Sequence, residues 1–279
     1  MRIVTVALVG VLLVVSPCDV ASQSASSVAA ERVVVPSGTL RLTGLLSKPA
    51  GSGPFPAVLF NHGAGPTDTA RGELLGPVFA RHGYVFLYLF RRGYGPSASQ
   101  GEYMRDLLDR EGKARGEMAR RRLQLTLLTT DHLDDVMAGL AFLKRLPGVD
   151  VGRVAVAGHS FGGQLTLLAV ERDKDVRAAV TFGAAAQSWD GAQELQEWLL
   201  AAARNIQTPI FLTHAANDFS VVPGQMLSAE LSRLKRPHEL KIYPAVGDTP
   251  RAGHQAVYTD VTTWEPDVFR FLDGYLRPQ

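Results

Sequence analysis

The sequence is poor in features that would place it in several protein classes. It holds one cysteine, Cys18, in 279 residues, so it cannot build an internal disulfide framework or a thiolate cage for a metal. Its net charge is only +2, too little for a nucleic-acid footprint or for polybasic attraction to a membrane. The densest basic stretch, residues 110–122, also carries Glu111 and Glu117 and has no interleaved aromatics; it reads as a solvated helix face. No apolar run is long enough to span a bilayer comfortably, a job for roughly 18 residues or more. There is no internal repeat, and no low-complexity tract beyond the small polar residues of 22–27. What remains is a chain with 46% hydrophobic and 20% charged residues, a globular balance with enough length for one sizeable core.

The N-terminus reads as a targeting segment. Arg2 precedes the apolar run Ile3–Val15, broken only by Thr5 and Gly10, and Pro17 and small polar residues follow. This is the charged, apolar and cleavable order of a secretory signal. The expected organisation is a signal over 1–22, a linker over 23–30 and one domain over 31–279, with a secreted or periplasmic product. Cys18 stands where a lipoprotein would carry its lipid, but Pro17 replaces the small residue favoured before it. Lipid anchoring is therefore the lesser alternative.

Residues 31–35 and 39–46 flank Pro36-Ser37-Gly38 and predict an antiparallel hairpin at a sheet edge. Short β-rich runs then alternate with helical patterns, as expected of a parallel sheet covered on both faces. The strands are expected at 57–60, 84–90, 154–157, 178–182, 210–213 and 240–243. The clearest helix is 131–145, with Leu133, Val136, Met137 and Leu140 near helical spacing and Thr130 placed to cap it. A last helix is expected over 266–275. Residues 101–129 are long for a connection; Gly112 and Gly116 break them, and they suit a lid or a helical insert.

The chemistry gathers where Val154-Ala-Val-Ala157 runs into Gly158-His159-Ser160-Phe161-Gly162-Gly163 and then into an apolar helical stretch. Gly-x-Ser-x-Gly alone arises by chance on the order of once in ten chains of this length. The strand before it and the helix after it make it a nucleophile elbow, a turn so tight that the serine's neighbours must be small. Such a turn lifts the Ser160 hydroxyl above the sheet. It also puts the Phe161 N–H at a helix N-terminus, where negative charge is favoured.

On these residues the chain resembles the α/β-hydrolase superfamily, in particular its dienelactone-hydrolase-like branch, which is similar to the catalytic domain of prolyl-oligopeptidase-type enzymes. The resemblance spans roughly residues 45–272. It implies an α/β-hydrolase fold: a mostly parallel central sheet, helices on both faces and an N-terminal antiparallel hairpin. It also implies the chain order Ser, Asp, His. Dienelactone hydrolases themselves carry a cysteine nucleophile, where this chain has Ser160.

The resemblance assigns the remaining roles by position. Asn61-His62-Gly63-Ala64 follows strand 57–60 in the slot of the second oxyanion donor, the backbone N–H of Ala64, with His62 structural. His214-Ala-Ala-Asn-Asp218 follows strand 210–213 and makes Asp218 the acid. Asp173, Asp175 and Asp190 follow the wrong elements. Gly253-His254, in a glycine-rich loop after the last strand, supplies His254 as base. His82 sits at a helix end, His132 begins a surface helix, His214 lies on the wrong side of Asp218, and His238 precedes the last strand. Arg91 and Arg92, after the second parallel strand, either meet a substrate carboxylate or tie their loop down.

The expected function is hydrolysis of an ester, lactone or thioester on a small-molecule substrate through an acyl-enzyme. No cofactor, metal, nucleic acid or membrane is expected beyond the signal segment. Peptidase or acyltransferase activity on the same fold, or a non-catalytic binding protein, are the alternatives.

Overall fold

A computed structural model describes residues 30–277 and, before them, only Met1 and Ile3. The expected signal segment, the possible lipid site at Cys18 and nearly all of the linker lie outside the described residues. Among the described residues no helix is long and apolar enough to cross a membrane.

One eight-stranded sheet organises the chain. Its strands are β1 (Glu31–Ser37), β2 (Leu40–Ser47), β3 (Phe55–Asn61), β4 (Val85–Phe90), β5 (Val149–His159), β6 (Ala178–Phe182), β7 (Ile210–Ala215) and β8 (His238–Tyr243). Their spatial order is β1-β2-β4-β3-β5-β6-β7-β8. The β1–β2 and β2–β4 pairs are antiparallel, and every later pair is parallel. This is the expected α/β-hydrolase architecture with its N-terminal hairpin. The helices are α1 (Thr69–Arg81), α2 (Met104–Arg115), α3 (Glu117–Thr129), α4 (Asp131–Lys144), α5 (Phe161–Arg172), α6 (Gln193–Asn205), α7 (Val222–Arg233), α8 (Pro250–His254), α9 (Ala256–Thr259) and α10 (Val261–Leu276).

Strand side chains alternate between the two faces, and here they feed two separate cores. Leu59, Leu87, Leu89, Val154 and Val156 join the face packed by α2 to α7. Their neighbours Val58, Phe60, Phe86, Tyr88, Ala155 and Ala157 join the other face with α1 and α10. The second core is rich in aromatics: Phe79 stacks on Phe86 at 4.5 Å and meets Phe269 edge-on at 5.0 Å. Because both faces are covered, the inner strands read as unbroken apolar runs with no alternation in polarity.

Several sequence expectations shift. β5 extends from Val149 to His159, well beyond 154–157. α10 starts at Val261, more than a turn before Pro266. Proline suits a helix start, but here the buried Trp264, whose indole N–H donates to Val257 O at 3.2 Å, carries the helix further back. Thr130 stands at the N-cap of α4 and its carbonyl accepts from the Asp134 N–H at 2.8 Å, but its hydroxyl does not cap: it donates back to Thr126 O at 2.7 Å, at the end of α3. Gly112 is no break, since it lies inside α2. Gly116, at φ 87°, makes the turn between α2 and α3. His132 is not on a surface but buried, with its ring edge-on to Phe161 at 5.6 Å.

Candidate active site

β5 passes into α5 with no connecting loop: His159 ends the strand, Ser160 stands between, and Phe161 opens the helix. Ser160 is held at φ 57°, ψ −119°, a conformation L-residues rarely adopt. The turn closes only because its flanks are glycines. A Cβ on Gly158 would lie 2.3 Å from Gly162 O, and one on Gly162 would lie 2.0 Å from Asn61 O. The Ser160 N–H is tied to Phe182 O of β6 at 2.8 Å, so the adjoining parallel strand also fixes the serine.

The hydroxyl raised by this turn meets His254. Ser160 Oγ lies 2.8 Å from His254 Nε2, and His254 Nδ1 lies 2.6 Å from Asp218 Oδ1. Asp218 follows β7, and His254 ends α8, a short helix where the sequence suggested a loop. The three side chains come from segments far apart in the chain and meet at the carboxyl edge of the parallel strands. Asp218 and His254 are both buried, with 8% and 6% of their surface exposed. With Nδ1–H donating to the carboxylate, Nε2 is left as an acceptor for the serine hydroxyl.

Burial opposes ionisation of Asp218, but hydrogen bonds from His214 and His254 outweigh it and hold the carboxyl below its ordinary value. His214, set aside in the sequence on grounds of chain order, donates from Nδ1 to Asp218 Oδ2 at 3.2 Å. The Phe219 N–H donates to Oδ1 at 2.8 Å. The only sequence signal for the His214 contact is its four-residue separation from Asp218. Those two residues face each other because a turn follows β7.

His159 is a second residue that the motif reading passes over. Its Nε2–H donates to the backbone carbonyl of His254 at 2.8 Å, tying the residue before the serine to the backbone of its partner. The Phe161 and Ala64 N–H groups have no backbone partner among the described residues. The Ala64 carbonyl, by contrast, accepts from the hydroxyls of Tyr94 and Tyr103, each at 3.3 Å.

Neither arginine after β4 is offered to a substrate. Arg91 is fully buried and bonded to His62 O and Gly63 O. Arg92 grips the buried Asp135 through its backbone N–H, Nε and NH2 at 2.9, 3.0 and 2.7 Å, and pairs with Asp131 at 2.9 Å. Both tie their loop down, because each has its hydrogen-bonding groups turned into the fold. Among the described residues no cluster of three or more His, Cys, Asp or Glu is arranged to hold a metal.

In front of Ser160 opens a pocket of about 610 Å³. Ala64, Phe161 and Gln164 form its inner wall beside Ser160; Met104, Leu108, Met118, Leu125 and Leu128 of α2 and α3 cover one side; residues 187–197 form the other. Its rim is charged with both signs, through Arg105, Arg120 and Arg121 against Glu117, Asp190, Glu194 and Glu197.

The sequence model of the Dienelactone hydrolase family matches residues 42–255. The polyketide transferase grgF of a Penicillium species is 29% identical over 174 residues, covering 59% of this chain and 52% of that protein. The esterase EstD of Thermotoga maritima is 34% identical over 135 residues, covering 48% of this chain and 28% of that protein. Among solved structures, an acylaminoacyl peptidase of Pyrococcus horikoshii superposes with a TM-score of 0.66 at 17% identity, over 92% of this chain and 43% of that one. That last likeness is one of fold. The chain thus spans about half or less of the length of each of these proteins.

Three buried histidines around the site set an acid limit on stability. Burial, first among the causes, holds His62, His132 and His159 well below their ordinary value of 6.5. Below that value the unfolded chain takes up protons that the folded chain refuses, so stability falls as pH falls. At pH 5.5 we expect about three extra protons bound on unfolding, a slope of about 4 kcal/mol per pH unit. Urea unfolding between pH 7.5 and 5.0 measures this directly; a flat profile across that interval would contradict it.

Proposed function

The chain belongs to the Dienelactone hydrolase family, and on that premise we propose that it is a serine hydrolase that cleaves a carboxylic ester, lactone or thioester through an acyl-enzyme. The observation that carries the reading is the unbroken hydrogen-bonded line Ser160–His254–Asp218, at 2.8 and 2.6 Å, beneath a pocket. In this mechanism Ser160 Oγ attacks the substrate carbonyl carbon while His254 Nε2 takes the hydroxyl proton. Asp218 holds the imidazole tautomer and stabilises the imidazolium that forms. The Phe161 and Ala64 N–H groups receive the oxyanion. His254 then protonates the leaving alcohol or thiol, and water, deprotonated by the same imidazole, releases the acid. A relative named as a transferase supports a second reading in which an alcohol or amine replaces that water.

Ser160→Ala should abolish labelling by a fluorophosphonate probe and lower kcat on p-nitrophenyl esters by on the order of a millionfold, with the melting temperature kept. Labelling that persists at another serine would sink the assignment. With the wild type, turnover that rises as alcohol or amine is added would favour acyl transfer over hydrolysis.

The pocket also supports a role for α2 and α3 as a cover that selects substrates, since their apolar residues face Ser160 across it. Met118 lines the pocket but is largely exposed, so shortening it leaves the core untouched. Met118→Ala should reorder kcat/KM across an ester chain-length series by roughly tenfold or more, the scale of one methylene contact, with little change in Tm. A uniform change along the series would argue against the cover.

Export is the remaining part of the proposal, supported by the apolar segment after Arg2. Intact-mass measurement of the exported protein should give a chain starting near Gln23. A retained Met1 or a lipid mass on Cys18 would replace secretion with anchoring.

A further inference from the structure

Arg91 carries a charge that no carboxylate of the described residues pairs directly, Asp135 acting on it only from beyond ion-pair distance. It follows the last residue of β4 and has no exposed surface. Its guanidinium donates to two backbone carbonyls, His62 O at 2.8 Å and Gly63 O at 3.1 Å, while Nε has no partner. The rings of Tyr94 and Phe161 face it, with centroids 5.3 and 5.6 Å from the guanidinium carbon. No carboxylate of the described residues lies within ion-pair distance, although the neighbouring Arg92 has two. Burying a cation without a counter-ion is costly. Arginine remains protonated even so, although burial pulls its pKa down.

The position of this charge relates it to the proposed chemistry. Gly63 C=O and Ala64 N–H are opposite ends of one planar peptide unit, so whatever fixes the carbonyl also aims the N–H. The carbonyl is held from two sides, by Arg91 and by His62 Nδ1–H at 2.8 Å. The Arg91 N–H donates to His62 Nε2 at 3.3 Å, which keeps that tautomer. The peptide lies against the serine: a Cβ on Gly63 would come 3.2 Å from Ser160 Cβ. The residue that offers the other free N–H, Phe161, turns its ring to the same guanidinium.

We propose that Arg91 is a positioning residue for the oxyanion: it locks the Gly63–Ala64 peptide so that the Ala64 N–H points at the reacting carbonyl, and its unpaired charge acts on the negative charge formed there. The proposal rests on the reading of Ser160 as nucleophile. In the step concerned, Ser160 Oγ forms a bond to the carbonyl carbon, the carbonyl π pair moves onto its oxygen, and the hydroxyl proton passes to His254 Nε2. A neutral ester gains little from Arg91, and the tetrahedral oxyanion gains much. The effect therefore belongs in kcat and leaves KM nearly unchanged.

A 13C-carbonyl-labelled alkyl trifluoromethyl ketone tests this, because it adds to a nucleophilic serine as a hemiketal whose ionisation is read by NMR. Arg91→Gln keeps a hydrogen-bond donor and removes the charge. It should lower kcat on a p-nitrophenyl ester roughly thirtyfold, leave KM within about threefold, and raise the hemiketal pKa by about 1.5 units, the same factor in free energy. Arg91→Lys keeps the charge and should shift the hemiketal by about half a unit or less. A folded Arg91→Gln with wild-type kcat and hemiketal titration would overturn the proposal. Equal impairment of the two variants would do so too, by showing a role in scaffolding alone. If Arg91→Gln does not fold, Arg91→Lys decides: a hemiketal shifted by more than about one unit in a folded protein excludes the charge. A wild-type protein that forms no hemiketal and turns over no ester overturns the nucleophile reading itself, whatever Arg91 does.

Discussion

The turn that carries Ser160 must hold a side-chain-bearing residue at φ 57°, which costs on the order of 1–3 kcal/mol, and much of the surrounding structure serves to hold it there. β5 is the central strand that leads in, and α5, almost wholly buried along its length, leads out. β6 ties the serine N–H through Phe182 O. The end of β3 packs so closely on Gly162 that no side chain fits between them. Strain at one residue is thus met by packing from three strands and a helix, as expected where a backbone conformation is over-determined.

Around that turn the protein buries its polar groups and gives several of them specific partners. His62, His159 and His214 each donate one hydrogen bond, to Gly63 O, His254 O and Asp218 Oδ2 respectively. Each contact fixes a backbone or carboxylate group that in turn faces Ser160 or His254. Buried polar networks of this kind specify a single arrangement when their members are satisfied. Burial works against the charged form of His62 and His159, which holds both rings neutral. The pocket side is arranged differently. There α2 and α3 present methionine and leucine to the cavity and salt-bridged arginine and glutamate to solvent, as in Arg121 with Glu117 and Arg115 with Glu111.

Much of this was legible in the residues alone. Alternation of β-rich and helical runs is a local property, and it yielded the strands and the mixed sheet with its antiparallel edge. The elbow was legible because glycine at 158 and 162 is a steric demand written directly into sequence. Ser160, Asp218 and His254 were picked out by the order of elements, with the resemblance to a known family supplying the slots. Element ends were less legible: α10 and the α3–α4 junction differ from expectation because Trp264 and the Thr130 hydroxyl find partners in the fold that no periodicity predicts.

The sequence by itself therefore determined the fold class and the serine elbow through local pattern, and with the slots that the family resemblance implies it picked out the three residues that meet at the carboxyl edge. Only the tertiary structure decided what surrounds them. His132 became a core residue because α4 turns it onto Phe161, and His214 reached Asp218 because a turn follows β7. Arg91 was turned inward to the Gly63 carbonyl, away from the pocket in front of Ser160, because β3 and β4 run side by side and end together. Burial and partnership are relations between residues distant in the chain. They come into being only when the two faces of the sheet are packed.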